Sequence, residues 1–455
     1  MNQLTLSKVA KLMIASHIGA DATFSTVSTD SRNLPKGALF VALSGPNFDG
    51  HDYIKQAKES GACAVMVNHI VECELPQLVV DDTRVALGQL ANVWRNSFPV
   101  SLLAITGSNG KTTTREMVAA ILSQKGEVLA TKGNLNNDIG LPLSLLRLQN
   151  ERFAVLEMGA NHRGEIAWLC EIAQPYVAVI TNAGPAHLEG FRDLQGVAEA
   201  KGEILTGLSA DGVAVLNADD PKLEFWLALA ESRRVVTFGI KKGADVSIDP
   251  KAITTIWDQD GFTNSCQVKA SGQVFDITLK LAGRHNLMNA LAAIAATMAV
   301  GATTNEIKRG LASLEVVKGR LQSLKGASGC TLVDDSYNAN PASVRAAIDV
   351  LATAPGRTWL ILGDLAELGI DTEDELQALG EYASGKGIEC FWSVGQTSKP
   401  ATDYFAGEGR HFEQQVDLIS ALKDELKADD TVLVKGSRSA AMDRVVEALA
   451  AKGGE

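Results

Sequence analysis

The chain of 455 residues holds no Cys-x-x-C pair, no block of lysine or arginine, no fixed-period repeat, and no apolar run near the ~18 residues that cross a bilayer. Each absence closes a class of function. Cys63, Cys73, Cys170, Cys266, Cys330 and Cys390 are scattered, which fits the reduced thiols of a cytosol better than a disulfide framework or a zinc–thiolate site. A formal charge of −12 with dispersed cations leaves no footprint for nucleic acid and none for a membrane surface. Anionic ligands would have to be met by locally concentrated positive charge. At the N-terminus, Lys8 and Lys11 interrupt what a signal peptide would keep apolar, so residues 5–14 read as a capped amphipathic helix.

What is present centres on one stretch. The apolar run Leu102-Leu103-Ala104-Ile105-Thr106 leads into Gly107-Ser108-Asn109-Gly110-Lys111-Thr112-Thr113, and Met117, Val118, Ile121 and Leu122 follow at helical spacing. Strand, glycine turn and helix start in that order aim backbone N–H groups and a helix N-terminus at one point, which suits a phosphate chain. Lys111 would face the β- and γ-phosphates, and the Thr112 hydroxyl would face Mg2+. Ile105 stands where the usual G-x-x-x-x-G-K-[ST] spacing wants glycine, so the motif is a shortened variant.

The length calls for about three domains. Residues 1–82 read as a small α/β domain. Its loop Ser28-Thr29-Asp30-Ser31-Arg32 offers an arginine that fits a phosphate or a surface ion pair equally well. A helix over 83–96, with Val85, Leu87, Leu90, Ala91 and Trp94 on its apolar side, opens a central domain, 83–314, of alternating strands and helices. Within it, polar groups fall at strand ends, where ligands gather in parallel sheets. Glu157 ends one apolar run, and Thr181-Asn182 ends another, with His187 shortly after. Taken alone, Lys201 is a solvated helix lysine. The section from about 235 to 281 reads as an antiparallel insertion or edge, including the run Arg234-Val235-Val236-Thr237-Phe238. Gly283-Arg284-His285-Asn286, before a long apolar helix, could read a base edge or simply cap that helix. The third unit, 315–455, reads as doubly wound and Rossmann-like, with strands ending at Asp334-Asp335-Ser336-Tyr337, at Gly363-Asp364 and at Lys435-Gly436-Ser437-Arg438.

These motifs, in this order, resemble the Mur ligase family of ATP-dependent amino-acid ligases. The matching stretches are Thr106 to Thr112, Gly133-Asn134-Leu135-Asn136-Asn137-Asp138-Ile139-Gly140, Glu157-Met158-Gly159, Thr181-Asn182 with His187, Ala200-Lys201-Gly202-Glu203, Gly283 to Asn286, Gly319-Arg320, and Asp334 to Pro341. The resemblance implies an α/β protein of three domains, in which a central P-loop parallel-sheet domain is flanked by a small N-terminal domain and a Rossmann-like C-terminal one. It implies ATP and Mg2+ as cofactors. It also implies small-molecule substrates: a UDP-N-acetylmuramoyl-tripeptide and the amine of D-alanyl-D-alanine. Catalytic roles fall to Lys111, Lys201, His187 and Arg320. ATP would be held by 107–113 together with Asn286, Arg320, Asp335 and Tyr337. Metal ligands would be Thr112, Glu157, His187 and Lys201, the last as a carbamate. Ser31, Arg32, Asn134, Asn137 and Asp138 would contact the UDP-linked substrate. A monomer, in the cytoplasm, is expected. The competing readings are a related amide ligase taking another amine, including the folylpolyglutamate type, and a nucleotide-dependent switch with no ligase activity.

Overall fold

The computed structural model describes residues 4–184, 191–240, 243–258, 261–366 and 372–451. Thr5 accepts a hydrogen bond from the Lys8 backbone N–H and starts the first helix, Leu6–Met13, which buries Leu6, Val9 and Ala10 and leaves both lysines outward. The N-terminal unit is built on a five-stranded sheet in the order Ser16–Ile18, Gln77–Val79, Ala64–Val67, Leu39–Val41, Val27–Ser28, antiparallel only at its first pair.

Helix Thr83–Arg95, capped by Asp82, carries the chain into the central sheet. Its inward face is Leu87, Leu90, Ala91 and Trp94, with Ala86 and Gly88. Val85, expected on that face, is 43% exposed, because the helical period puts it opposite Leu87 and Trp94. This helix, the Leu6–Met13 helix and one face of the central sheet share a continuous apolar cluster.

The central sheet runs Val128–Ala130, Phe153–Glu157, Ser101–Thr106, Val177–Ile180, Val213–Asn217, Arg234–Gly239, Val246–Ile248, with every neighbouring pair parallel. Along Ser101–Thr106, Leu102 and Ala104 enter the cluster on one face, and Leu103 and Ile105 the cluster on the other. Burial on both faces is why the strand reads as unbroken apolar sequence. The second face is covered by helices Lys111–Leu122, Arg284–Ala299 and Thr304–Ala312. The run expected to belong to an antiparallel section at 234–238 pairs parallel with Val213–Asn217; the antiparallel extension is Thr254–Asp258, Gly261–Ala270 and Gln273–Leu279, joined through Val246–Ile248. Short β-branched runs read alike in either direction, since strand period carries no polarity.

The C-terminal sheet orders as Gln322–Lys325, Thr331–Asp335, Asp430–Lys435, Arg357–Gly363, Cys390–Val394, Glu408–Phe412, parallel apart from its first edge strand. Apolar clusters fill both of its faces, so it is doubly wound. All six cysteines are free, and no described helix is long and apolar enough to cross a membrane.

Candidate active site

One cavity of about 1110 Å³ lies beyond the carboxyl ends of the central strands and receives residues from the third domain. The phosphate loop forms one wall. Gly107 has φ +148°, and a Cβ there would come within 1.8 Å of Thr181 Oγ1; Gly110 has φ +81°, and a Cβ would meet Asn289 Oδ1 at 2.2 Å. Glycine is required at both places so that the backbone can turn tightly and begin helix Lys111–Leu122 at the cavity wall. Lys111 curls back, its Nζ donating to the Gly107 carbonyl at 2.7 Å. Burial pushes its ammonium below the usual lysine range, Glu157 opposes that shift, and Arg320 adds to it. This half-buried cation is held by main-chain carbonyls of its own loop.

Beside it, Thr112 Oγ1 donates to Glu157 Oε2 at 2.9 Å, and Asn136 Nδ2 donates to Glu157 Oε1 at 2.9 Å. Glu157 closes its buried strand and is only 4% exposed. Arg115, also buried, places Nη1 3.6 Å from Glu157 Oε2, pairs with Glu116, and donates to the Gly133 carbonyl. In the sequence Asn136 stands out only as part of the Gly133–Gly140 stretch, not as a partner of Glu157, and nothing there distinguishes Arg115 from a solvated helix arginine. Lys201 is 3% exposed on helix Leu194–Thr206, with the Phe191 ring 5.8 Å from its Nζ. Burial, and then Lys111, lower its pKa to about 7. A hydroxyl and a carboxylate in contact are hard oxygen donors of the kind that suits Mg2+, which keeps several of its ligands as water or phosphate. The donor set therefore fits that ion. His187 lies outside the described residues.

The third domain supplies the opposite wall. Arg320 Nη2 donates to Thr112 Oγ1 at 3.1 Å, and its guanidinium lies 4.6 Å over the Tyr337 ring; its buried Nε has no hydrogen-bond partner among the described residues. An unpaired buried donor beside a phosphate loop is complementary to an anion. Asp335 accepts from Lys435 Nζ at 2.6 Å, and Lys435 also donates to the Asn338 carbonyl, which fixes the loop leading to Asn340. Asn286, assigned to adenine by resemblance, lines the cavity with its amide bonded to near neighbours in the chain: Nδ2 donates to the Ala282 carbonyl at 2.8 Å, and Oδ1 accepts from Asn289 at 3.2 Å.

Of the expected substrate contacts, Asn134, Asn137 and Asp138 line the cavity. Asn137 Oδ1 accepts from the Gly140 backbone, and Asp138 is paired with Arg84, a cavity residue that the sequence did not single out. Ser31 and Arg32 are not among the lining residues: the Ser31 hydroxyl donates to Gln56, and Arg32 takes the surface ion pair with Asp30.

His285 adds a pH dependence. Desolvation holds its pKa down to about 4, with Lys435 pressing the same way and Asp335 and Asp349 opposing. Between pH 6.5 and 4 the unfolded chain therefore binds a proton there that the folded chain refuses. This contribution is complete above pH 6.5 and lost as pH falls towards 4. Unfolding free energies from urea titrations across this range are expected to fall less steeply in His285→Gln, by about 3 kcal/mol at pH 4; parallel curves for the two proteins would contradict this.

Comparisons with known proteins show what this chain is similar to. Three family descriptions match in succession: "Mur ligase family, catalytic domain" over residues 23–95, "Mur ligase middle domain" over 105–297, and "Mur ligase, glutamate ligase domain" over 319–438. The chain is 46% identical over 456 residues, spanning 100% of both chains, to the UDP-N-acetylmuramoyl-tripeptide–D-alanyl-D-alanine ligase of Escherichia coli strain K12. The crystal structure of MurF from Acinetobacter baumannii superimposes with a TM-score of 0.91 at 34% identity, covering 98% of each chain. MurF ligase from Thermotoga maritima, in complex with ADP, gives 0.83 at 29% identity, covering 93% of this chain and 96% of that one.

Proposed function

Since this chain belongs to the Mur ligase family, we propose that it is the ATP-dependent ligase that joins D-alanyl-D-alanine to the terminal carboxylate of UDP-N-acetylmuramoyl-tripeptide, releasing ADP and phosphate for peptidoglycan precursor synthesis in the cytoplasm. The relatives that match over the whole chain carry that activity in their names. The observation that carries the reading on the structural side is the meeting of the 107–113 loop, the Thr112–Glu157 pair and Arg320 in one cavity.

The chemistry follows from charge. A carboxylate approaching the γ-phosphoryl group meets like charge, which Lys111 and Arg320 offset from two sides as the phosphoryl group transfers. Mg2+, held by Thr112 and Glu157 oxygens, would supply further neutralisation of the phosphates. The product is an acyl phosphate. The dipeptide's amine then attacks its carbonyl carbon, the C–O bond to the phosphate breaks, and inorganic phosphate leaves with the former carboxylate oxygen. Lys201, with an amine that is part neutral near pH 7, can add CO2 with loss of a proton; the resulting carbamate would be an anion lining the same cavity as Thr112 and Glu157. Asp335 and Tyr337 would border the ribose and base, and Asn134, Asn137 and Asp138 the UDP-linked substrate.

A phosphate-release assay with the tripeptide precursor and a panel of amines tests the reading. Release is expected to be stimulated at least tenfold by D-alanyl-D-alanine and by no single amino acid. Stimulation by glutamate, lysine or diaminopimelate instead would assign the chain to another branch, and release indifferent to every amine would make it a hydrolytic switch.

A further inference from the structure

Among the described residues, two side chains hydrogen-bond from the third domain to the 107–113 stretch. Arg320 reaches Thr112, and Asn340 Nδ2 donates to Asn109 Oδ1 at 2.8 Å. The orientation of Asn340 is set from behind. Its Oδ1 accepts from the Ser343 backbone N–H at 2.8 Å, and the Ser343 hydroxyl accepts from the Asn340 backbone at 2.9 Å, a capping box that starts helix Pro341–Leu351. Its amide nitrogen is then the group left to face the loop.

Asn109 is held as firmly on its own side. Its backbone N–H donates to Asn182 Oδ1 at 3.0 Å, and its carbonyl accepts from Thr181 Oγ1 at 2.6 Å and from Asn182 Nδ2 at 3.1 Å. The main chain at 109 is thus fastened to the end of strand Val177–Ile180, while its side chain meets the third domain. Three residues further on is the hydroxyl that Arg320 grips.

We propose that Asn340 is a positioning residue for the ligase reaction: its amide clasps Asn109 and seats the N-terminus of helix Pro341–Leu351 on the phosphate loop, which brings Arg320 into register with the transferring phosphoryl group. The clasp is an amide–amide bond between neutral groups, so it does not titrate and owes nothing to salt. The inference rests on the reading of 107–113 as the triphosphate loop.

Asn340→Ser separates the clasp from the cap, because serine is also a preferred N-cap but is too short to reach Asn109. A neutral hydrogen bond of about 1 kcal/mol corresponds to a five- to tenfold effect. Turnover at saturating substrates is expected to fall by that factor in Asn340→Ser, with KM for ATP within twofold of the parent. Its Tm is expected to stay close to the parent's, whereas Asn340→Ala, which loses the cap as well, should melt lower. In an Asn109→Ala background the serine substitution is expected to change turnover less than twofold, since its partner is already gone. Turnover of Asn340→Ser within twofold of the parent overturns the proposal. So does a full five- to tenfold loss repeated in the Asn109→Ala background, or a Tm as low as that of Asn340→Ala. Failure of the parent protein to ligate any amine would instead remove the functional reading itself.

Discussion

Lys111→Ala is expected to lower turnover at least a thousandfold while leaving the fold intact. The side chain is half-buried, and its ammonium is bonded to the Gly107 carbonyl of its own loop. Removing it therefore breaks no hydrogen bond to another element and deletes the loop's own cation. In a site that excludes water, one unit charge aimed at the transferring group is worth several kcal/mol. A circular-dichroism melt close to the parent's, together with an ADP-release assay, separates loss of chemistry from loss of structure. Retention of a tenth of the turnover would speak heavily against the loop's role.

Arg320→Ala should come next, with a loss on the order of a hundred- to a thousandfold in turnover. Three features of this side chain change together: the bond to Thr112, the stacking on Tyr337, and the unpaired Nε donor that an anion would satisfy. Arg320→Lys is expected to recover little of it, because an ammonium neither stacks as a plane nor offers a fork of donors. Steady-state assays on both variants give the comparison. If lysine restored turnover to within threefold of the parent, a point charge would be sufficient and the guanidinium geometry would carry no weight.

What could be read before the structure was what is local in sequence. Strand, turn and helix at 101–122 follow from apolar run, glycines and helical spacing within about twenty residues, and Glu157 follows from the abrupt end of a buried strand. What escaped was set by packing over long separations. Lys201 reads as a surface lysine; its burial comes from Phe191 and from elements around the cavity. Asn340 and Asn109 are 231 positions apart, and no pattern in either segment announces their bond. The parallel pairing of Arg234–Gly239 depends on its neighbour in the sheet, which strand composition does not encode. Arg32 could be read either way, and the nearest carboxylate, Asp30, takes it in this structure. Local chemistry thus marks the 107–113 loop, and tertiary packing decides which second set of side chains meets it.

The central claim is that a peptide carboxylate is activated by phosphoryl transfer from ATP. Tripeptide precursor carrying 18O in its terminal carboxylate, turned over with ATP and D-alanyl-D-alanine, tests it most directly through mass analysis of the released phosphate. One 18O atom per phosphate is the expected result, since the attacking oxygen departs with phosphorus. Phosphate free of 18O, alongside undiminished peptide bond formation, would contradict the account.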